Sequence, residues 1–149
     1  MAKSKTACID WSRRNLEAHQ TGFDGEHIAM NVLEKLGHEG IETTLHKDAM
    51  DLVTDTHVLE VKTFTDATKK DLWQISVDAE QKAKKLAFAA KHGKKPACVA
   101  VVKDGEAIIY MRDGVGKFRV PGRMKEIGRI ADWKKTIGTG RKERFYVPR

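Results

Sequence analysis

Glu60 and Lys62 lie two residues apart in His57-Val-Leu-Glu-Val-Lys-Thr-Phe64, a run whose β-branched and apolar residues predict a strand. Side chains alternate along a strand, so Glu60 and Lys62 share a face with Val58 and Phe64, while Leu59, Val61 and Thr63 point the other way. An acid and an amine inside an apolar strand are costly to bury unless they pair or meet an ion. A solvated pair at a sheet edge is the plain alternative, and acid-x-Lys recurs as Glu80-Gln-Lys82 and Asp132-Trp-Lys134. Asp51 sets the first occurrence apart. It opens the preceding run Asp51-Leu-Val, and a turn at Asp55-Thr56 brings it toward Glu60. Two converging carboxylates form a hard oxygen site suited to Mg2+ or Mn2+. Lys62 would stand close enough to orient a water and offset developing negative charge. Glu26, beside the apolar Ile28 and Ala29, can supply a further carboxylate.

The elements that position these groups follow from pattern. Asp24 reads as an N-cap, with Ile28, Val32, Leu33 and Leu36 at helical spacing behind it and Gly37 ending the helix. Ile41–Leu45 alternates and reads as a first strand, Asp51–Val53 as a second and His57–Phe64 as a third. Residues 65–72 read as a polar connection. A helix then begins by Asp78, with Ala79, Ala83, Leu86, Ala87 and Ala90 as its apolar stripe, Lys82, Lys84, Lys85 and Lys91 on or beside its wet side, and Gly93 as its stop. Pro96 precedes strand 97–102, and Asp104-Gly105 turns into a strand over Ala107–Met111. Glycines punctuate the remainder and leave little room for long elements. The order is α-β-β-β-α-β-β, an α/β fold with a mixed sheet flanked by helices.

Glu26 in Gly25-Glu26-x-x-Ala29, Asp51 in Asp51-Leu-Val, and Glu60-Val-Lys62 together resemble the motifs of the PD-(D/E)xK nuclease superfamily. The resemblance covers roughly residues 24–111 and implies a restriction-endonuclease-like core. It also implies that Asp51, Glu60 and the Val61 carbonyl hold a divalent metal and that Lys62 helps activate the attacking water. On the same ground Glu26 becomes an auxiliary acid, and Lys82 or Gln81 holds phosphate or water. The implied reaction is hydrolysis of a nucleic-acid phosphodiester with departure of the 3′ oxygen. The proline usual before the first acid is replaced by Met50, and Asp48 rivals Asp51 for that role; Asp51 is preferred because it leads directly into an apolar strand. Tyr110–Arg119 also resembles a segment of small phage-associated domains attached to capsid morphogenesis proteins, which implies a phage or mobile-element origin.

Other chemistries find less support. The six histidines are scattered without His-x-x-x-His or Cys/His grouping; His57 reads as structural, and His27 and His46 as neighbours of the proposed site. Cys8 and Cys98 form no CxxC pair, and Cys98 reads as a buried thiol. No G-x-S-x-G elbow and no strand-to-helix glycine fingerprint is present.

The 149 residues carry a formal charge of +7, and it is unevenly placed. Residues 117–149 hold 11 of the 28 Lys+Arg and 3 of the 21 Asp+Glu, a net of +8, which leaves 17 basic against 18 acidic groups, −1, in residues 1–116. The chain therefore reads as a near-neutral core over 1–116 and a basic extension over 117–149, packed on or following that core. Lys117, Arg119, Arg123, Lys134, Lys135, Arg141, Lys142 and Arg144 are the expected nucleic-acid contacts, because grouped cations release counterions from a polyanion. No apolar run reaches the roughly 18 residues of a spanning helix, and no signal-peptide stretch follows the basic start, so an intracellular protein is expected. The expected function is a metal-dependent DNA endonuclease using Mg2+ or Mn2+. A homodimer is expected on physical grounds, because a duplex has two strands. The rivals are a catalytically inactive nucleic-acid-binding or phage assembly accessory, and a protein-interaction module.

Overall fold

The computed structural model describes residues 20–44, 50–66 and 69–137. Helix α1 covers residues 20–35, and α2 runs Ala79–His92. Strands β1 (Glu42–Thr43), β2 (Leu52–Val53), β3 (His57–Thr65), β5 (Lys95–Asp104), β6 (Glu106–Asp113) and β8 (Lys125–Ile130) form one mixed sheet in the order β1-β2-β3-β5-β6-β8. Among the described residues only the β3–β5 pair is parallel. A parallel neighbour requires a crossover, and α2 lies in the connection between β3 and β5. A small second sheet pairs β4 (Gln74–Ser76) with β7 (Lys117–Arg119), and a short helix α3 covers Trp133–Ile137. The protein is an α/β fold with a mixed central sheet. Among the described residues no helix is long and apolar enough to cross a membrane.

The alternation of β3 sends its residues into two separate cores. Leu59 and Val61 pack with Ile28, Ala29, Val32 and Leu33 of α1 and with Val99 and Val101 of β5. Val58 and Phe64 face the opposite way, toward Trp73, Ile75, Val77, Ala89 of α2 and Cys98. Glu60 and Lys62 therefore stand on the α2 side. Contact between α1 and the sheet is close at Gly25, where any Cβ would overlap the Thr63 hydroxyl. Helix α2 has a stop at each end: the Asp78 carboxylate accepts from Gln81 N at 2.8 Å, and Gly93 turns the chain at φ +64°.

Several expectations are corrected. Asp24 is not an N-cap; it lies inside α1, buried, with its carboxylate 3.5 Å from buried Lys103. That tertiary partner uses the acid which a cap would otherwise have used. Leu36 is 54% exposed, because the chain is already turning away where its amide bonds back to Val32 and Leu33. On α2 the buried residues are Lys85 and Ala89, whereas Leu86 and the expected alanine stripe are exposed. Pro96 lies within β5 rather than ahead of it. The chain also holds β4, β7, β8, α3 and a 3-10 turn at Lys70–Leu72 beyond the expected order. Of these, β8 completes the main sheet against β6, so residues 125–130 of the basic stretch belong to the sheet itself.

Candidate active site

Strand β2 is short, and Asp51 sits where it begins. The Asp51 amide donates to Leu59 O at 2.9 Å, and its carbonyl accepts from Thr44 N at 3.0 Å. Its side chain then reaches along β3, where Oδ2 accepts from Val61 N at 2.8 Å. This clamp fixes one carboxylate beside the peptide that joins Glu60 to Lys62. Val61 thus contributes its amide to Asp51, while its side chain packs under α1.

Glu60 is a perturbed acid at this junction. Burial chiefly, and next the nearby Asp51 charge, raise its proton affinity above the ordinary 4.5. A hydrogen bond from Lys85 and the charges of Lys85 and Lys62 pull the other way without cancelling the rise. Lys85 Nζ lies 2.7 Å from Glu60 Oε2, and the lysine is 3% exposed. Lys62, on the same strand face, is exposed. Cys98 lies across from Glu60 on β5, and burial together with the Glu60 charge pushes its thiol up to about 12.

Asp51, Glu60 and Lys62 therefore come together at the β2–β3 junction. Glu26 is buried on α1. Among the described residues no three His, Cys, Asp or Glu side chains group as a metal cluster, so Glu26 does not join the two carboxylates as a third ligand. Gln81 and Lys82 are exposed in the first turn of α2, with the Lys82 amide bonded to Asp78 O at 2.8 Å. His57 pairs its Nδ1 with Thr56 Oγ1 at 2.7 Å and rests near the His38 ring. His27 is buried on α1. His46 and Asp48 lie outside the described residues.

Asp51 and Glu60 fit a hard divalent cation as far as they go. Both offer carboxylate oxygens, and the Asp51 charge that strengthens Glu60's hold on a proton would favour a cation in the same way. The missed residue is Lys85. Its signal was positional: Lys85 and Ala89 are four apart and share a helix face, but hydropathy alone sends a lysine to water.

The expected nucleic-acid contacts are dispersed. Lys117 and Arg119 are exposed on β7, with Arg119 3.4 Å from the Asp71 carbonyl, and Arg123 is exposed in the β7–β8 connection. Lys134 and Lys135 are exposed on α3, and Lys135 sits 3.6 Å from Asp132. Trp133 is half-buried and receives Lys103 Nζ 4.2 Å from its ring centroid. Arg141, Lys142 and Arg144 lie outside the described residues. Comparison with protein-family models, curated proteins and solved structures finds no match to this chain.

Proposed function

We propose that this protein is a metal-dependent endonuclease of the PD-(D/E)xK type that hydrolyses DNA phosphodiester bonds. The observation that carries the reading is the clamp of Asp51 onto the Val61 amide, which sets two carboxylates and Lys62 at one strand junction. Element order supports it: α1, β1, β2, β3, α2 and β5 follow in the order that the resemblance implies, with only a 3-10 turn and the three-residue β4 between β3 and α2.

Asp51, Glu60 and the Val61 carbonyl would hold Mg2+ or Mn2+, which supplies water of lowered pKa and offsets charge on the phosphate. The chain's own groups do the rest. The Val61 amide fixes the Asp51 carboxylate, so that its orientation need not be found during the reaction. Lys85 holds Glu60 from the helix side. Lys62 remains open to solvent, where its ammonium can orient the attacking water and meet the phosphate. Lys82, one helical turn before Lys85, would hold phosphate, and Glu26, buried on α1, would be an auxiliary acid. A homodimer would present two such sites to the two strands of a duplex.

One observation favours a second reading. Among the described residues only two carboxylates converge, and Lys85 pairs with one of them, as suits a catalytically inactive nucleic-acid-binding or phage assembly accessory. Closed circular and linear DNA incubated with Mg2+, Mn2+ or EDTA separate the two. The nuclease reading expects metal-dependent nicking of the circle that Asp51→Asn, Glu60→Gln and Lys62→Ala each lose by about 100-fold or more while remaining folded. Salt-sensitive binding without cleavage, unchanged by Glu60→Gln, would establish the accessory instead.

A further inference from the structure

Among the described residues β4 and β7 pair only with each other, as a two-stranded antiparallel ribbon over the α2 side of the main sheet. Its register sets Gln74 opposite Arg119, Ile75 opposite Phe118 and Ser76 opposite Lys117. Residues directly opposed across a pair share a face. Ile75 is buried and Phe118 packs against the same core, so these two form the inner face. Gln74, Ser76, Lys117 and Arg119 form the outer one, and all four are exposed. Both ends of the ribbon are tied: Val120 N donates to Trp73 O at 3.0 Å, and Val77 N to Gly116 O at 3.1 Å. From beneath, the Arg112 guanidinium lies 4.0 Å from the Phe118 ring centroid. The outer side chains therefore stand on a backbone that is held in place.

Their hydrogen-bonding capacity is largely unspent. Among the described residues the Gln74, Ser76 and Lys117 side chains have no hydrogen-bond or ion-pair partner, and Arg119 meets the Asp71 carbonyl at 3.4 Å. No acid stands on this face of the ribbon. The turn leading into β4 sets Lys69 and Lys70 against Asp71, with Lys70 also 3.9 Å from Asp104, and it ends on Leu72, which is 64% exposed. Arginine and glutamine are the side chains that match a base edge with two hydrogen bonds, to guanine O6 and N7 and to adenine N6 and N7. Lysine adds a point charge that suits phosphate. Two strands about 4.8 Å apart fit a major groove about 12 Å wide, whose apolar content, the thymine methyl groups, suits Leu72.

We infer that the outer face of the β4–β7 ribbon enters the major groove of duplex DNA, with Gln74 and Arg119 on base edges and Lys117 on a phosphate. The inference rests on the nucleic-acid reading for its partner but not on cleavage. Phe64 follows Lys62 on the same face of β3, and its ring centroid lies 6.0 Å from that of Trp73, the residue before Gln74. The ribbon thus flanks the Lys62 end of the candidate site and gives it a preference for particular base pairs.

The test is selection of duplexes from a randomised pool in EDTA, which keeps cleavage out of the measurement, followed by fluorescence anisotropy on the selected and mixed sequences. The parent should prefer particular base pairs at one or two neighbouring positions. Gln74→Ala/Arg119→Lys conserves charge, so it should lose about tenfold or more of that discrimination while its salt slope and its affinity for mixed-sequence duplex stay within about twofold of the parent. Lys117→Gln should do the reverse, keeping the preference and lowering the salt slope by about one. The same preference in Gln74→Ala/Arg119→Lys as in the parent overturns the inference, and so does parental duplex binding that shows no preference; both leave the nucleic-acid reading standing. Absence of parental binding at low salt overturns the nucleic-acid reading and this one together.

Discussion

Lys85 Nζ lies 2.7 Å from Glu60 Oε2, joining the buried side of α2 to the face of β3 that carries the candidate site. The pair explains why a lysine occupies a position that packing alone would give to leucine. Glu60 cannot stay charged and shielded from water without a nearby cation, and Lys85 arrives from the element that covers it. Lys85→Met should therefore lower stability by about 3 kcal/mol, and Lys85→Met/Glu60→Gln should recover most of the loss. Urea unfolding of the parent, both single variants and the double variant measures the coupling. Identical midpoints for Lys85→Met and the double variant would mean that Lys85 serves some other contact. Mn2+ should bind Lys85→Met more tightly than the parent, since the ammonium occupies an oxygen the ion would use. Electron paramagnetic resonance of free Mn2+ reads this without any DNA.

The raised proton affinity of Glu60 gives stability a definite pH slope. Its folded pKa exceeds the ordinary 4.5, so the folded chain binds more protons than the unfolded one between that value and the raised one. The contribution of protonated Glu60 is full below about pH 4.5 and is lost as pH rises through the folded pKa. Thermal melts of parent and Glu60→Gln across this window should diverge in slope, with the variant flatter. Saturating Mg2+ should flatten the parent as well, because the cation replaces the proton. Parallel curves with and without Mg2+ would argue against a cation on Glu60.

The legible parts of the sequence were those with a short period. Alternation along His57–Phe64 placed Glu60 and Lys62 on one face, and the Asp78 and Gly93 signals bounded α2 within a residue. What stayed hidden depended on distant partners. Nothing local says that Asp24 meets Lys103, 79 residues away, or that Lys85 meets Glu60 across 25. The strands β4 and β7, each three residues long, are too brief to carry a period, and they exist because they pair with each other. Asp51 was placed near Glu60 by a turn, but its hydrogen bond to the Val61 amide required the register Leu52 to Leu59.

Gly25 tests whether α1 must sit as close to β3 as it does. Any side chain there collides with Thr63. Gly25→Ala should cost about 1–3 kcal/mol in urea unfolding despite alanine's better helix propensity. Gly25→Ala/Thr63→Ala, which removes the hydroxyl that collides, should regain part of it. An unchanged or higher midpoint for Gly25→Ala would show that the helix can lift without penalty.

Charge at the end of the chain makes the last prediction. Trp133 packs beneath Lys103, which also meets Asp24, so α3 is tied to the core and a cut before it would disturb folding as well as charge. Ending the chain after Ile137 avoids this. It removes Arg141, Lys142, Arg144 and Arg149 along with Glu143, a net of +3. If these residues hold the polyanion while Asp51, Glu60 and Lys62 perform the reaction, the salt slope of duplex binding should fall by up to about three. Cleavage at saturating DNA should stay close to the parental rate, with the loss confined to the DNA concentration needed for half-maximal velocity. A fall in the saturated rate instead, with affinity intact, would place part of the reacting machinery beyond residue 137.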